Sequence, residues 1–556
     1  MHARRLKATL VVAAVAALTV GAAGCAKSNR SSTTTTKTGG TFVFAGAGDP
    51  RNFDPILNDD GESLRVIRQV YDTLIQNKPG TAELAPALAE SWEHDATGKD
   101  WTFHLRKGVK FHDGTPFNAA AVCFNFDRWY NMKGAAAQSL MAYYSDVFEG
   151  FAHNEAPDLG TSIYKGCQAK DDNTPVISLT KYKGAFPGAF TLASFSIASP
   201  DALKKYNADK VTQTGDAFDF SEYSLQHPTG TGPFAFGGWD KSTNQITLNR
   251  NADYWGDKPK VDKVVIKIIK DETARKQELQ AGSVDAIDYP APADRKALAD
   301  AGFKVMARPA FNVLYLGINQ KFNPKLADLR VRQAIAYALN REQLVKTLGP
   351  SGTEVAKEFM PKTVSGYADD VMEYKYDPEK AKSLLKAAGA EGLSLDFYYP
   401  PDVSRPYMPN PSDIFQALSK DLQAVGLKIN GVPRPWNGGY KTDIQVAGKP
   451  ALHIIGWTGD YNDPGNFVAT FFGRGKPDFG DQGMTDMFDA IAKANGEVDD
   501  AKKKELWQQV NRDVMAKWLP AIPIWHAPPA IVTSSKISGL VASPLTDERF
   551  NTISKS

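Results

Sequence analysis

Cysteine is nearly missing from this chain. The 556 residues hold three, Cys25, Cys123 and Cys167, which excludes a disulfide-built scaffold. Histidine is thin too: the eight present are scattered, with no H-E-x-x-H and no pair at helical spacing, and His112 and His227 sit beside Gly and Pro as turn residues. Neither charge is in excess, 65 Lys+Arg against 63 Asp+Glu, so nothing marks a polyanion-binding surface and no nucleic acid is expected as a partner. Catalytic motifs are missing as well. Gly98-Lys99-Asp100 is a fragment of a phosphate loop, and Gly349-Pro350-Ser351-Gly352 has the wrong spacing for a nucleophile elbow. Gly46 and Gly48 lack the third glycine of a dinucleotide fingerprint. No enzyme, no metal site and no cofactor is expected. With 42% hydrophobic residues, 45 Gly and 34 Pro, the chain is neither collagen-like nor wholly disordered. At roughly 150 residues per domain, the length suggests about three or four domain-sized units.

One apolar run approaches membrane length. Ala8–Ala23 covers 16 residues, mostly Ala and Val, behind Arg4, Arg5 and Lys7. A membrane span needs about 20, so this reads as a signal-peptide core. Without residues 1–24 the charge balance is 62 against 63, a net of −1. The run ends Ala22-Ala23-Gly24-Cys25, which resembles a bacterial lipobox, although Ala22 stands where Leu is commonest. In that reading Cys25 carries lipid and becomes the first mature residue. An ordinary secretory signal is the alternative. Residues 25–40 are rich in Ser, Thr and Gly with no large apolar side chain, as expected of a flexible leash. In an oxidising compartment Cys123 and Cys167 either pair or lie as separate buried thiols. Pairing would close a loop of about 45 residues, worth ~4 kcal/mol on a chain-entropy basis.

Hydrophobic periodicity predicts strands at Thr41–Ala45, Trp101–Val109, Ile246–Leu248, Val261–Ile269 and Val284–Tyr289, and again at Val313–Ile318, Leu393–Tyr398 and Leu452–Gly456. Helices are predicted at Leu64–Ile75, Ala119–Tyr130, Ala274–Ala281, Leu329–Leu339 and Ile414–Val425. Asn340 with Gln343 has capping-box spacing, and Asp377-Pro378 opens a helix that Gly389 stops. Lys133–Thr174 reads as irregular loop. Strands alternating with helices give an α/β class with buried sheets.

Several stretches, taken in order, resemble the family-5 extracellular solute-binding proteins, the dipeptide- and oligopeptide-binding components of ABC importers. They are Gly40-Thr41-Phe42 through Asp54-Pro55, Leu84–Trp92, Trp101–Arg106 and Val109–Gly114. Thr229–Phe234, Asn251–Trp255, Arg330–Asn340 and Tyr376–Leu385 continue the set, which spans residues 40–530. The resemblance implies a two-lobed periplasmic-binding-protein-like fold with a ligand cleft between lobes. Lobe I would be 41–310 with an extra subdomain at about 90–215, lobe II would be 311–520, and 521–556 would return to lobe I.

It also implies the site. Gly456–Pro464 (GWTGDYNDP) resembles the family's ligand loop, in which the Asp at the position of Asp460 binds a peptide's α-ammonium. A desolvated ammonium requires a carboxylate partner. On the residues alone, Asp460 could equally cap the turn before Asp463-Pro464. Arg405–Asn410 (RPYMPN) resembles the dipeptide binders' Arg-Pro-Tyr-Asn-Pro-Asn, whose Arg grips the ligand carboxylate as a planar guanidinium can. Met408 departs from that pattern, and a solvated loop Arg is the alternative. Tyr407, Trp457, Tyr461 and Trp436 would wall the pocket or simply pack in the core. The partners implied are a short peptide, an ABC permease with its ATPase, and a membrane reached through the lipid, for a monomeric protein. Another charged solute (a metal-chelate or sugar), a surface sensor and a secreted hydrolase are the competing readings.

Overall fold

The computed structural model describes residues 39–556 apart from 157–158, 216 and 481–482, so the signal segment, Cys25 and the leash up to residue 38 lie outside the described residues. Two large sheets organise the chain. Thr41–Gly46 is the middle strand of the first and runs parallel to both neighbours, Phe44 standing beside Ile266 on one side and Ala286 on the other. The full order is Phe234–Asp240, Gln245–Arg250, Lys263–Ile268, Thr41–Gly46, Ala286–Asp288, Ala530–Thr533, Lys304–Ala307. In Lys263–Ile268 the Val and Ile side chains at 264, 266 and 268 are buried while the intervening residues face outward, the period of two that the sequence carries.

The second sheet has the order Glu354–Val355, Ala521–His526, Asn312–Ile318, Leu452–Thr458, Ser394–Tyr399, Lys428–Pro433. Asn312–Ile318 is buried along its whole length, as an apolar central strand must be. Helices cover the sheet with the caps expected. Asn340 accepts from the Gln343 N–H at 3.1 Å, and Asp377 from the Lys380 N–H at 2.9 Å.

The chain passes between the sheets twice, at 308–311 and at 527–529, and the two crossings are bonded together. The Arg308 N–H donates to the Pro529 carbonyl at 2.8 Å, and Asn312 exchanges bonds with Ala527 at 2.7 and 3.1 Å. The fully buried Arg308 side chain donates to Asp288 at 2.7 Å and to Glu548 at 2.5 Å, while Asp288 also accepts from Arg65. Burial alone would raise the Asp288 carboxyl, but the two guanidinia hold it below the ordinary carboxylate value.

Three expectations are corrected here. The return to the first sheet does not begin at 521: Ala521–His526 is buried on both faces and pairs with Asn312–Ile318, so only Ala530–Thr533 rejoins the first sheet. The first helix is Gly61–Val70 rather than Leu64–Ile75. Asp72 draws the chain out of it, because this buried carboxylate accepts from Thr231, Tyr254, Trp255 and Arg549 at 2.9–3.1 Å. Finally, 133–174 is not simply loop. It holds helices Ala135–Leu140 and Ala142–Phe148 and the strand Tyr164–Ala169.

That strand belongs to a third, antiparallel sheet, in the order Ala89–His94, Asp100–Leu105, Pro175–Leu179, Tyr164–Ala169. Its core is aromatic, with Phe186 edge-to-face to both Phe148 and Phe190 at 5.8 and 4.5 Å. A disulfide joins Cys123, on helix Ala119–Tyr130, to Cys167 with Cα atoms 5.1 Å apart. Replacing both cysteines by Ser should lower the unfolding free energy by about 2–4 kcal/mol. Urea melts check this: the deficit should vanish when the wild type is reduced beforehand.

Candidate functional site

Leu452–Thr458 lies between Asn312–Ile318 and Ser394–Tyr399, and its C-terminal end delivers Gly456 to Asp460 to one edge of the second sheet. The turn beyond has its own cap: Asp463 accepts from the Gly465 N–H at 2.8 Å and pairs with Lys503 at 3.0 Å. Asp460 is therefore not the capping residue. Its carboxylate is held by two side chains. Asn466 donates to Oδ2 at 3.2 Å while its own Oδ1 accepts from the Asp460 N–H at 2.8 Å and the Trp457 indole at 3.2 Å. Oδ1 accepts from the hydroxyl of Tyr143 at 2.8 Å.

Tyr143 sits on Ala142–Phe148, in the first half of the chain, so this bond crosses from one half to the other. Tyr461 crosses as well: it is buried in the aromatic cluster of the third sheet and lies against Gly188. Among the described residues no cation pairs with Asp460. Burial accordingly pushes its carboxyl up to about 7, even though the bonds from Asn466 and Tyr143 favour the charged form.

The other candidates form a continuous wall from this point. A Cβ at Gly456 would come within 2.4 Å of the Tyr407 ring, so only glycine lets that ring lie on the strand. The Tyr407 carbonyl accepts from the Trp525 indole at 2.7 Å. Arg405 and Met408 exchange backbone bonds at 3.0 and 2.9 Å, closing the turn that presents both side chains. The Arg405 guanidinium lies 4.4 Å above Trp436, which also stacks on Tyr440 at 5.8 Å and has Lys441 Nζ over its ring at 5.9 Å. Arg405 Nε is buried with no acceptor among the described residues. With Tyr289, Pro292 and Pro529 it lines a hollow of about 10 Å³, room for roughly one water.

Asp460 and Arg405 thus stand at the two ends of one wall and do not pair with each other. Trp457 is half-buried and edge-on to Phe471 at 5.7 Å. A desolvated carboxylate, and a guanidinium whose buried Nε has no acceptor among the described residues, suit a ligand bearing both charges. Two residues escaped the sequence reading. Asn466, three positions after the capping Asp463, had a signal in being polar at the first turn of a short helix. Tyr143 had none, since it lies 317 residues from its partner.

Among the described residues no helix is long and apolar enough to cross a membrane, and no group of three or more His, Cys, Asp or Glu could hold a metal. Residues 83–479 match the family described as bacterial extracellular solute-binding proteins, family 5. The chain is 34% identical over 527 residues to a dipeptide-binding protein of Escherichia coli K12, covering 92% of this chain and 94% of the relative. It is 32% identical over 574 residues to heme-binding protein A of Haemophilus influenzae, covering 99% of each. Among solved structures, the ABC transporter-associated periplasmic binding protein DppA of Helicobacter pylori, in complex with the peptide STSA, superposes with a TM-score of 0.76 at 28% identity. That match covers 94% of this chain and 99% of the other. Two sheets joined by paired crossings, with a third sheet attached to the first, are accordingly the two-lobed fold of these proteins, and the chain belongs to the bacterial extracellular solute-binding proteins of family 5.

Proposed function

We propose that the protein is the extracytoplasmic substrate-binding component of an ABC importer, capturing short peptides between its lobes and handing them to a membrane permease. It is a binding protein and not an enzyme. The observation that carries this reading is Asp460, a desolvated carboxylate fixed by Asn466 and Tyr143 with no ion-pair partner among the described residues. A peptide's α-ammonium supplies the missing charge, and Arg405 receives the carboxylate of peptides short enough to reach it. Tyr407, Trp457, Tyr461 and Trp436 exclude water around the backbone. The relatives support the choice of ligand, since the Escherichia coli protein is named for dipeptides and the Helicobacter pylori structure holds one tetrapeptide. Native mass spectrometry of the purified protein tests it. Bound species should add masses equal to sums of amino-acid residues plus one water; a retained mass of any other composition would refute the peptide reading.

Cys25 carries the lipid in this proposal, and residues 26–40 leave the folded part room to meet its permease. Wild-type protein should sediment with membranes, whereas Cys25→Ala should be soluble or retain its signal segment. Identical soluble fractionation of the two forms, followed by immunoblotting, would count against anchoring.

A further inference from the structure

A second, larger cavity lies wholly within the first lobe, with a volume of about 560 Å³, in the range of small-molecule sites. None of its lining residues comes from the second sheet or the loops that carry Asp460 and Arg405. Three arginines line it, and two of them have no strong ion pair. Arg68 donates to the Thr546 carbonyl at 2.9 Å, and among the described residues no carboxylate comes within ion-pair distance. Arg106 has its guanidinium carbon over the Trp255 indole, 4.8 Å from the ring centre, with Nε donating to the Ala87 carbonyl at 2.7 Å. Its only carboxylate among the described residues is the largely exposed Glu90 at 3.4 Å. The third cavity arginine, Arg549, is committed to Asp72 at 3.1 Å. Burial lowers the Arg68 pKa from its ordinary value although Asp547 and Glu548 pull the other way, as expected for a cation lacking a direct partner.

The remaining polar wall adds a requirement. Asn77 donates through Nδ2 to Asp547 at 3.1 Å, which fixes its amide orientation and leaves Oδ1 buried without a donor among the described residues. An occupant should therefore bring acidic oxygens for the arginines and a hydroxyl for Asn77.

We propose that this cavity is a second binding site, taking a small hydroxylated anion held by Arg68 and Arg106, with its hydroxyl donating to Asn77. A hydroxy acid and a sugar phosphate share that chemistry. Citrate and glucose 6-phosphate, titrated separately into the full-length protein by calorimetry, distinguish them. At least one should bind with one molecule per chain. That affinity should fall roughly tenfold or more in Arg68→Gln and in Arg106→Gln. It should be unchanged in Arg405→Gln, whose side chain lies over Trp436 and does not line this cavity. Tricarballylate, which is citrate without its hydroxyl, should bind more weakly than citrate if citrate is the one that binds. Should Arg68→Gln fail to melt cooperatively, the more exposed Arg106→Gln decides. Absence of binding by both probes, binding that survives both cavity-arginine substitutions (Arg68→Gln and Arg106→Gln), or binding lost in Arg405→Gln would each overturn the proposal.

Discussion

Asp460→Ala should lower the affinity for a free dipeptide by about two to four decades, because breaking one side of a buried charge pair costs ~3–5 kcal/mol. The substitution leaves an ammonium between aromatic walls with only the Tyr143 hydroxyl and Asn466 amide nearby. An N-acetylated dipeptide should fail on the wild type for the complementary reason: it strands the carboxylate. Calorimetry on ligand-stripped protein measures both. Undiminished binding by a well-folded Asp460→Ala variant would end the case for this residue.

The pH dependence follows with a definite sign. The ligand-free carboxyl titrates at about 7, and an ammonium needs it ionised. Peptide affinity should fall below pH 7, by up to about tenfold per unit, as Asp460 takes up its proton, and should weaken again above about pH 8 as the peptide's own α-ammonium loses one. Stability of the empty protein should move oppositely. A raised acid pKa means the native state holds more protons than the unfolded state between about pH 4 and 7, so stability declines as pH rises through that window. Asp460→Asn should remove both trends below pH 7.

The other large effect is expected at the crossing between the two sheets. Arg308→Ala should destabilise the fold by about 3–5 kcal/mol, since it leaves Asp288 and Glu548 buried with too few cations. Arg65 still reaches Asp288, but Glu548 loses its 2.5 Å partner. Because the depressed Asp288 pKa makes its contribution complete above about pH 4 and lost below, the deficit of the variant should shrink in acid. Urea unfolding at pH 7 and pH 3 reads both values. A loss under 1 kcal/mol at pH 7 would show that neighbouring side chains relax to replace the guanidinium.

What could be read from the sequence divides along physical lines. Elements set by local rules were legible: Asn340 and Asp377 cap the helices that follow them, and the all-apolar Val313–Ile318 is the buried centre of its sheet. Elements set by distant contacts were not. Leu64–Ile75 has helical periodicity throughout, yet Asp72 leaves the helix to meet donors from residues 231, 254, 255 and 549. The helix bearing Tyr143 is 7 residues long, too short for a periodic signal, and is stabilised by packing rather than propensity. The candidate site divides in the same way. Asp460 and Arg405 stand out through short motifs, whereas the hydroxyl that meets Asp460 belongs to a different lobe.

The placing of Ala530–Thr533 has a consequence for how the chain is made. This strand fills the slot between Ala286–Asp288 and Lys304–Ala307 in the first sheet, bonded to both. A nascent chain reaches residue 307 with Ala286–Asp288 and Lys304–Ala307 still unjoined, each presenting free N–H and C=O groups. The second sheet also waits, since Ala521–His526 is the neighbour of its buried strand Asn312–Ile318. Neither half can finish while the C-terminus is still in the ribosome. A truncation before residue 521 therefore forfeits both sheets' closure rather than trimming a tail.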